Sequence, residues 1–136
     1  MSDDTAAPFL FPAVGRKKVI ADFDGGRITS DGGVMLLAAA GRRLRTADRL
    51  AGLIADPRNP LFVTHSVADI LSARMLAIAC GCGCEDADDL DHLRTDPGFK
   101  LACGRLPDSG SDLCSQPTVS CWENAPSLRE LVGLLP

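Results

Sequence analysis

Asp22 and Asp24 stand one residue apart in ADFDGG, a D-x-D pair of the kind that holds magnesium for phosphoryl transfer. The same pair runs into Gly25 and Gly26, and aspartate before glycine favours a tight turn, so turn formation accounts for both carboxylates without chemistry. The run CGCGC sets thiols at Cys80, Cys82 and Cys84, and His92, Cys103 or Cys114 offers a fourth ligand for tetrahedral zinc. Structural zinc sites take paired ligands from C-x₂₋₄-C turns, whereas strict Cys-Gly alternation points successive thiols awkwardly around one ion. A helix end with cysteine as a small apolar filler is the better reading. His65 precedes a cap-forming Ser66, His92 lies among acids, and neither shows a nucleophile or base partner. No catalytic residue and no metal ligand is assigned.

Contact with nucleic acid is the other chemistry on offer. Arg42, Arg43, Arg45 and Arg49 are the densest basic group, and with Arg16, Lys17 and Lys18 they make a phosphate-facing strip if a hairpin folds near the helix end. Bases in a last helical turn also complement the helix dipole, so a structural reading stands beside this one. Farther on, Gln116, Thr118 and Ser120 open a helix with side chains that reach base edges or phosphates. A helix docking on a core needs no such role. The charge balance restrains the reading. Residues 1–50 hold eight Lys/Arg against six Asp/Glu and residues 51–136 hold six against twelve, giving −4 overall and an isoelectric point near 5.0. Phosphate neutralisation drives DNA affinity, so an acidic chain is a weak DNA binder on its own.

The elements that must carry these groups are short. Residues 1–16 show no period, and Pro8 and Pro12 bracket an aromatic pair, which suggests an arm docking through Phe9 and Phe11. Residues 17–33 alternate, with Val19, Ala21 and Phe23 on one side, and Asp24-Gly25-Gly26 supplies a hairpin turn. Ser30 or Asp31 can cap a helix running to about Leu44, and a shorter helix begins near Ala47. Asp56-Pro57 and Asn59-Pro60 end it. Ser66 with Asp69 resembles a capping box before a helix that is apolar almost all round, the expected central helix. Two brief helices follow, around Leu90 and after Pro97, the second closed by Gly104. The last pair lies at about 116–124 and 126–135. The second of these shows Leu128, Leu131, Val132 and Leu135 on one face, which favours self-association. The expected fold is mainly α: a small N-terminal β-hairpin, then about six short-to-medium helices, with residues 1–16 as a flexible arm and 17–136 as one domain. No run of about 18 apolar residues suggests a membrane span. Acids precede the apolar patch at the amino terminus and bases follow it, the reverse of a secretory signal, so a cytoplasmic location and free thiols are expected.

Three stretches in order, ADFDGGRITSDGGVMLLA, DADDLDHLRTDPGFKLACGR and SQPTVSCWEN, resemble the amino-terminal portion of bacterial insertion-sequence transposases of the DDE superfamily, group 1, over about residues 18–136. The resemblance implies a helical region tied to end recognition and assembly, followed by a ribonuclease-H-like core whose three carboxylates hold two divalent metals for strand cleavage and transfer. That core opens with an Asp-x-Asp-x-Thr strand and a His-Gly-x-Gln segment, and neither occurs here. Asp22 and Asp24 fall in the family's front hairpin, so the catalytic role does not transfer to them. The family's Ser-Arg-x-Glu-Asn has Cys121 in place of arginine, and a guanidinium able to grip phosphate or pair with Glu123 is lost. The resemblance therefore implies the front part of a transposase without its catalytic core, truncated or degenerate. Its partners would be insertion-sequence terminal repeats, bound weakly, and a second copy or an intact transposase. Magnesium belongs to the full-length family, and no cofactor is expected in this chain. The alternative is a stand-alone helical interaction module that does not bind DNA.

Overall fold

The computed structural model describes residues 9–21, 28–29, 32–79 and 90–125. Strand β1 (Phe9–Val14) and strand β2 (Lys17–Ala21) form an antiparallel hairpin in which Leu10 faces Ile20, Phe11 faces Val19 and Val14 faces Lys17. The connection is the two-residue loop Gly15-Arg16, with Gly15 at φ 58°, a conformation glycine takes without a Cβ clash. The register shifts between Phe11 and Val14, where Pro12 has no N–H to give the ladder. Half of the hairpin thus comes from the stretch read as an arm, and Phe11 does dock on the core, as part of a strand. The turn expected at Asp24-Gly25-Gly26 lies outside the described residues.

Helix α1 (Val34–Leu44) and helix α2 (Thr46–Ala51) are separated by Arg45, the single described non-glycine residue with positive φ (52°). Its N–H bonds back to Arg42, which ends α1 and turns the chain into α2. Gly33 occupies the N-cap of α1 with no side-chain cap, and Ser30 and Asp31 lie outside the described residues. A single 3₁₀ turn at Pro60–Phe62 leads to helix α3 (Val67–Ala79). The capping box forms in both directions: Asp69 N–H donates to Ser66 Oγ and Ser66 N–H donates to Asp69 Oδ2, each at 3.1 Å. Helix α3 buries Val67, Ile70, Ala73, Leu76 and Ala77 and packs against α1 and α2, the central position expected of it.

Helices α4 (Leu90–Leu93), α5 (Pro97–Ala102) and α6 (Gln116–Glu123) complete the described bundle. Gly104, at φ 75°, closes α5. Its N–H reaches Leu101 O and the N–H of Arg105 reaches Lys100 O, the paired bonds of a left-handed helix stop. One core joins Val14 and Val19 of the hairpin to Val34, Ile70, Leu90, Phe99, Leu113 and Val119. The chain is mostly helical with one two-stranded hairpin, and no described helix is long and apolar enough to cross a membrane.

Candidate nucleic-acid interface

The stretches that carry the motifs meet one another. Asp96, the N-cap of α5, accepts from Phe99 N–H at 2.8 Å and from Thr29 Oγ1 at 2.6 Å through the same oxygen. Thr29 lies against Gly98, where a Cβ would come within 2.7 Å of Thr29 Cβ and closer still to its hydroxyl. So the threonine of GRITSDGG is bolted to the aspartate and glycine of TDPGF by a hydrogen bond and by a contact that only glycine permits.

The third stretch is held in the same way. Ser115 is the N-cap of α6, but its side chain makes no capping bond and instead shares a hydrogen bond with Thr118 at 3.1 Å. The cap comes from another helix: Gln116 N–H donates to Asp91 Oδ1 on α4 at 3.1 Å. At the other end of α6, Arg74 Nε of α3 donates to Glu123 Oε1 at 2.6 Å, so this glutamate has an arginine even though position 121 is cysteine. Val119 is fully buried and Trp122 packs on the core, while Cys121 is exposed.

Lys100 was not legible as a special position, yet it is 4% exposed. Its ammonium donates to the carbonyls of Gly110 at 2.9 Å and Pro107 at 3.2 Å, with Asp112 at 3.5 Å. A buried cation needs such partners, and here they gather the loop between α5 and α6 around one side chain.

Among the residues expected to meet DNA, Arg42, Arg43, Arg45 and Arg49 all lie along the end of α1 and on α2. Arg42 Nη1 donates to Ala102 O of α5 at 3.0 Å, and Arg45 sits 3.6 Å from Asp48, so both have structural work. Arg43 and Arg49 are exposed and pair with no acid among the described residues. Lys17 and Lys18 are exposed at the start of β2, immediately after the hairpin loop. Gln116, Thr118 and Ser120 lie on α6, half-buried, on a different element from the arginines. Between α1, α2 and α3 runs a cleft of about 300 Å³, with Arg42, Arg45 and Asp69 on its polar side and Leu37, Met75 and Leu76 on its apolar side.

The described carboxylates do not fit a divalent metal. Asp48, Asp56, Asp69, Asp91, Asp96, Asp112 and Glu123 each serve an arginine, a lysine or a backbone N–H, and no group of three or more His, Cys, Asp or Glu converges among the described residues. Asp22, Asp24, Cys80, Cys82 and Cys84 lie outside the described residues. Burial, with Cys114 close by, pushes the Cys103 thiol up to about 12, far from the reactive thiolate form, and burial raises Cys114 as well.

A family model described as transposase DDE domain group 1 matches residues 11–134. No curated protein and no solved structure matches.

Proposed function

We propose, from the premise that this chain belongs to the transposase DDE domain, group 1 family, that its 136 residues form the helical front part of such an enzyme and serve DNA-end binding or assembly rather than strand cleavage. The observation that carries the reading is the family match across residues 11–134, joined to a fold in which the motif residues secure helices to one another. Of the basic strip, Arg43 and Arg49 are the side chains left for phosphates, with Lys17 and Lys18 on the neighbouring hairpin. Gln116, Thr118 and Ser120 are the secondary contacts, since α6 is pinned at both ends. Localised positive charge on an acidic molecule gives weak, salt-sensitive affinity, consistent with a part that acts alongside other DNA-binding surfaces.

Strand cleavage by this family runs on divalent metal held by carboxylates, and the carboxylates described here are engaged elsewhere. Incubated with supercoiled plasmid and magnesium or manganese, the purified chain should leave the plasmid intact. Metal-dependent nicking that copurifies with the protein through successive columns would show that these residues do support cleavage.

A further inference from the structure

Ion pairs in this protein close in two different ways. Arg58 meets Asp56 at 2.7 Å and Arg74 meets Glu123 at 2.6 Å, the short distances of charge-assisted bonds. Others stay open: Arg45 to Asp48 stands at 3.6 Å, and Arg105 to Asp69, Arg94 to Asp112 and Lys100 to Asp112 all stand at 3.5 Å. The last two share one carboxylate. Arg94 and Arg105 are each about one-third exposed, at 34% and 29%, so solvent reaches them. Arg94 Nε is nevertheless buried and has no acceptor. Arg105 does complete one good bond, 2.6 Å to Ser111 Oγ, which fixes the guanidinium in place.

His65, half-buried, directly precedes Ser66, whose N–H bonds to the Asp69 carboxylate that Arg105 faces. Burial first, then the charge of Arg105, and behind it Arg94 and Arg58, hold the His65 pKa below the ordinary value, with Asp69 acting in the opposite sense. Guanidiniums with slack acid contacts, one N–H without an acceptor, and an imidazole whose charged form is disfavoured first by burial and then by these cations together describe a site where positive charge outweighs its acceptors. A tetrahedral oxyanion supplies what is missing, because its oxygens accept from several guanidinium N–H groups at once and its charge offsets their repulsion.

We propose that His65, Arg94 and Arg105 form a seat for one phosphate group. The DNA backbone as the source of that phosphate rests on the proposed function above, whereas the seat itself does not. None of these three residues belongs to the arginine strip on α1 and α2, so the seat adds further cations, next to the cleft that Asp69 lines with Arg42 and Arg45.

Sulfate is the probe, since it has the shape and charge of phosphate and does not titrate near neutrality. His65 imidazole resonances, assigned by their loss in His65→Gln, are followed against pH in the full chain with increasing sulfate and, in parallel, with sodium chloride at matched ionic strength. The seat predicts that sulfate raises the His65 midpoint and saturates, beyond the smaller rise that screening alone gives. Arg94→Gln and Arg105→Gln should each weaken sulfate roughly tenfold. Equal curves in sulfate and chloride overturn the seat, as does a sulfate effect indifferent to both arginine variants. The wild-type comparison decides even if a variant fails to fold. In a second arm a duplex replaces sulfate: a raised His65 midpoint identifies backbone phosphate as the source, and binding that leaves His65 unmoved overturns that source. A seat that takes sulfate in a chain that binds no duplex would leave the site standing and remove the DNA-binding reading instead.

Discussion

Thr29, Asp96 and Gly98 make the tightest junction among the motif residues, and each contributes something different: a donor, an oxygen that also caps a helix, and an absent side chain. Gly98→Ala places a methyl group on Thr29 and should cost about 1–3 kcal/mol, read by chemical denaturation. The double variant with Thr29→Gly should recover part of that loss, because the clash partner is gone. No recovery would mean that the glycine serves some other purpose. His65 sets a pH dependence at the same scale. Its pKa is depressed in the folded chain, so the unfolded chain binds a proton first as pH falls. Stability contributed by the neutral ring is complete above about 6.5 and declines as pH drops from there toward the folded pKa. Denaturation midpoints at pH 7.5 and 5.5 should therefore converge in His65→Gln relative to wild type, and an identical decline in both proteins would contradict the assignment.

At the scale of elements, α6 illustrates how far a short helix depends on its neighbours. Eight residues of ordinary propensity do not persist alone in water, and this helix is held by Asp91 at one end, Arg74 at the other and Val119 beneath. Asp91→Ala should cost about 1 kcal/mol. Val119→Ala should cost somewhat more, about 1–3 kcal/mol, by opening a space in a fully packed site. Hydrogen exchange should show both losses as faster exchange of the α6 amides before those of α3; uniform acceleration across the bundle would show that α6 is not a separable unit. The sequence made the helices legible where the signals were local: Asp96-Pro97 at a start, Gly104 at a stop, Ser66 with Asp69 as a reciprocal cap. It was misleading where a partner lay far along the chain. Ser115 has the composition of a cap, but Asp91, 25 residues earlier, supplies the bond. The hairpin turn expected at Asp24-Gly25-Gly26 lies outside the described residues, and the stretch read as an arm instead supplies a strand, Phe9–Val14, that takes in Pro12 through a register shift. Lys100 carries no signal of its role, since nothing in sequence announces that two carbonyls of a later loop will enclose its ammonium. Of the basic group, the positions were readable from sequence, but not that Arg42 would be spent on Ala102 and Arg45 on a left-handed turn.

For the whole molecule, the balance between an acidic surface and a local basic strip decides what it can bind. A chain carrying −4 overall is repelled by DNA at long range, so the affinity proposed for it would have to come from a few phosphates met at close quarters. Electrolyte dependence counts those contacts, at a slope near −0.9 in log K against log salt for each phosphate neutralised. The most direct test is fluorescence anisotropy of the full chain against a labelled terminal-repeat duplex across a salt series, beside the Arg43→Gln/Arg49→Gln pair. The account predicts weak binding with a slope of roughly −2 to −4, reduced by about 2 in the paired variant with folding unchanged. Binding that ignores salt, or a paired variant with the slope of wild type, would contradict it.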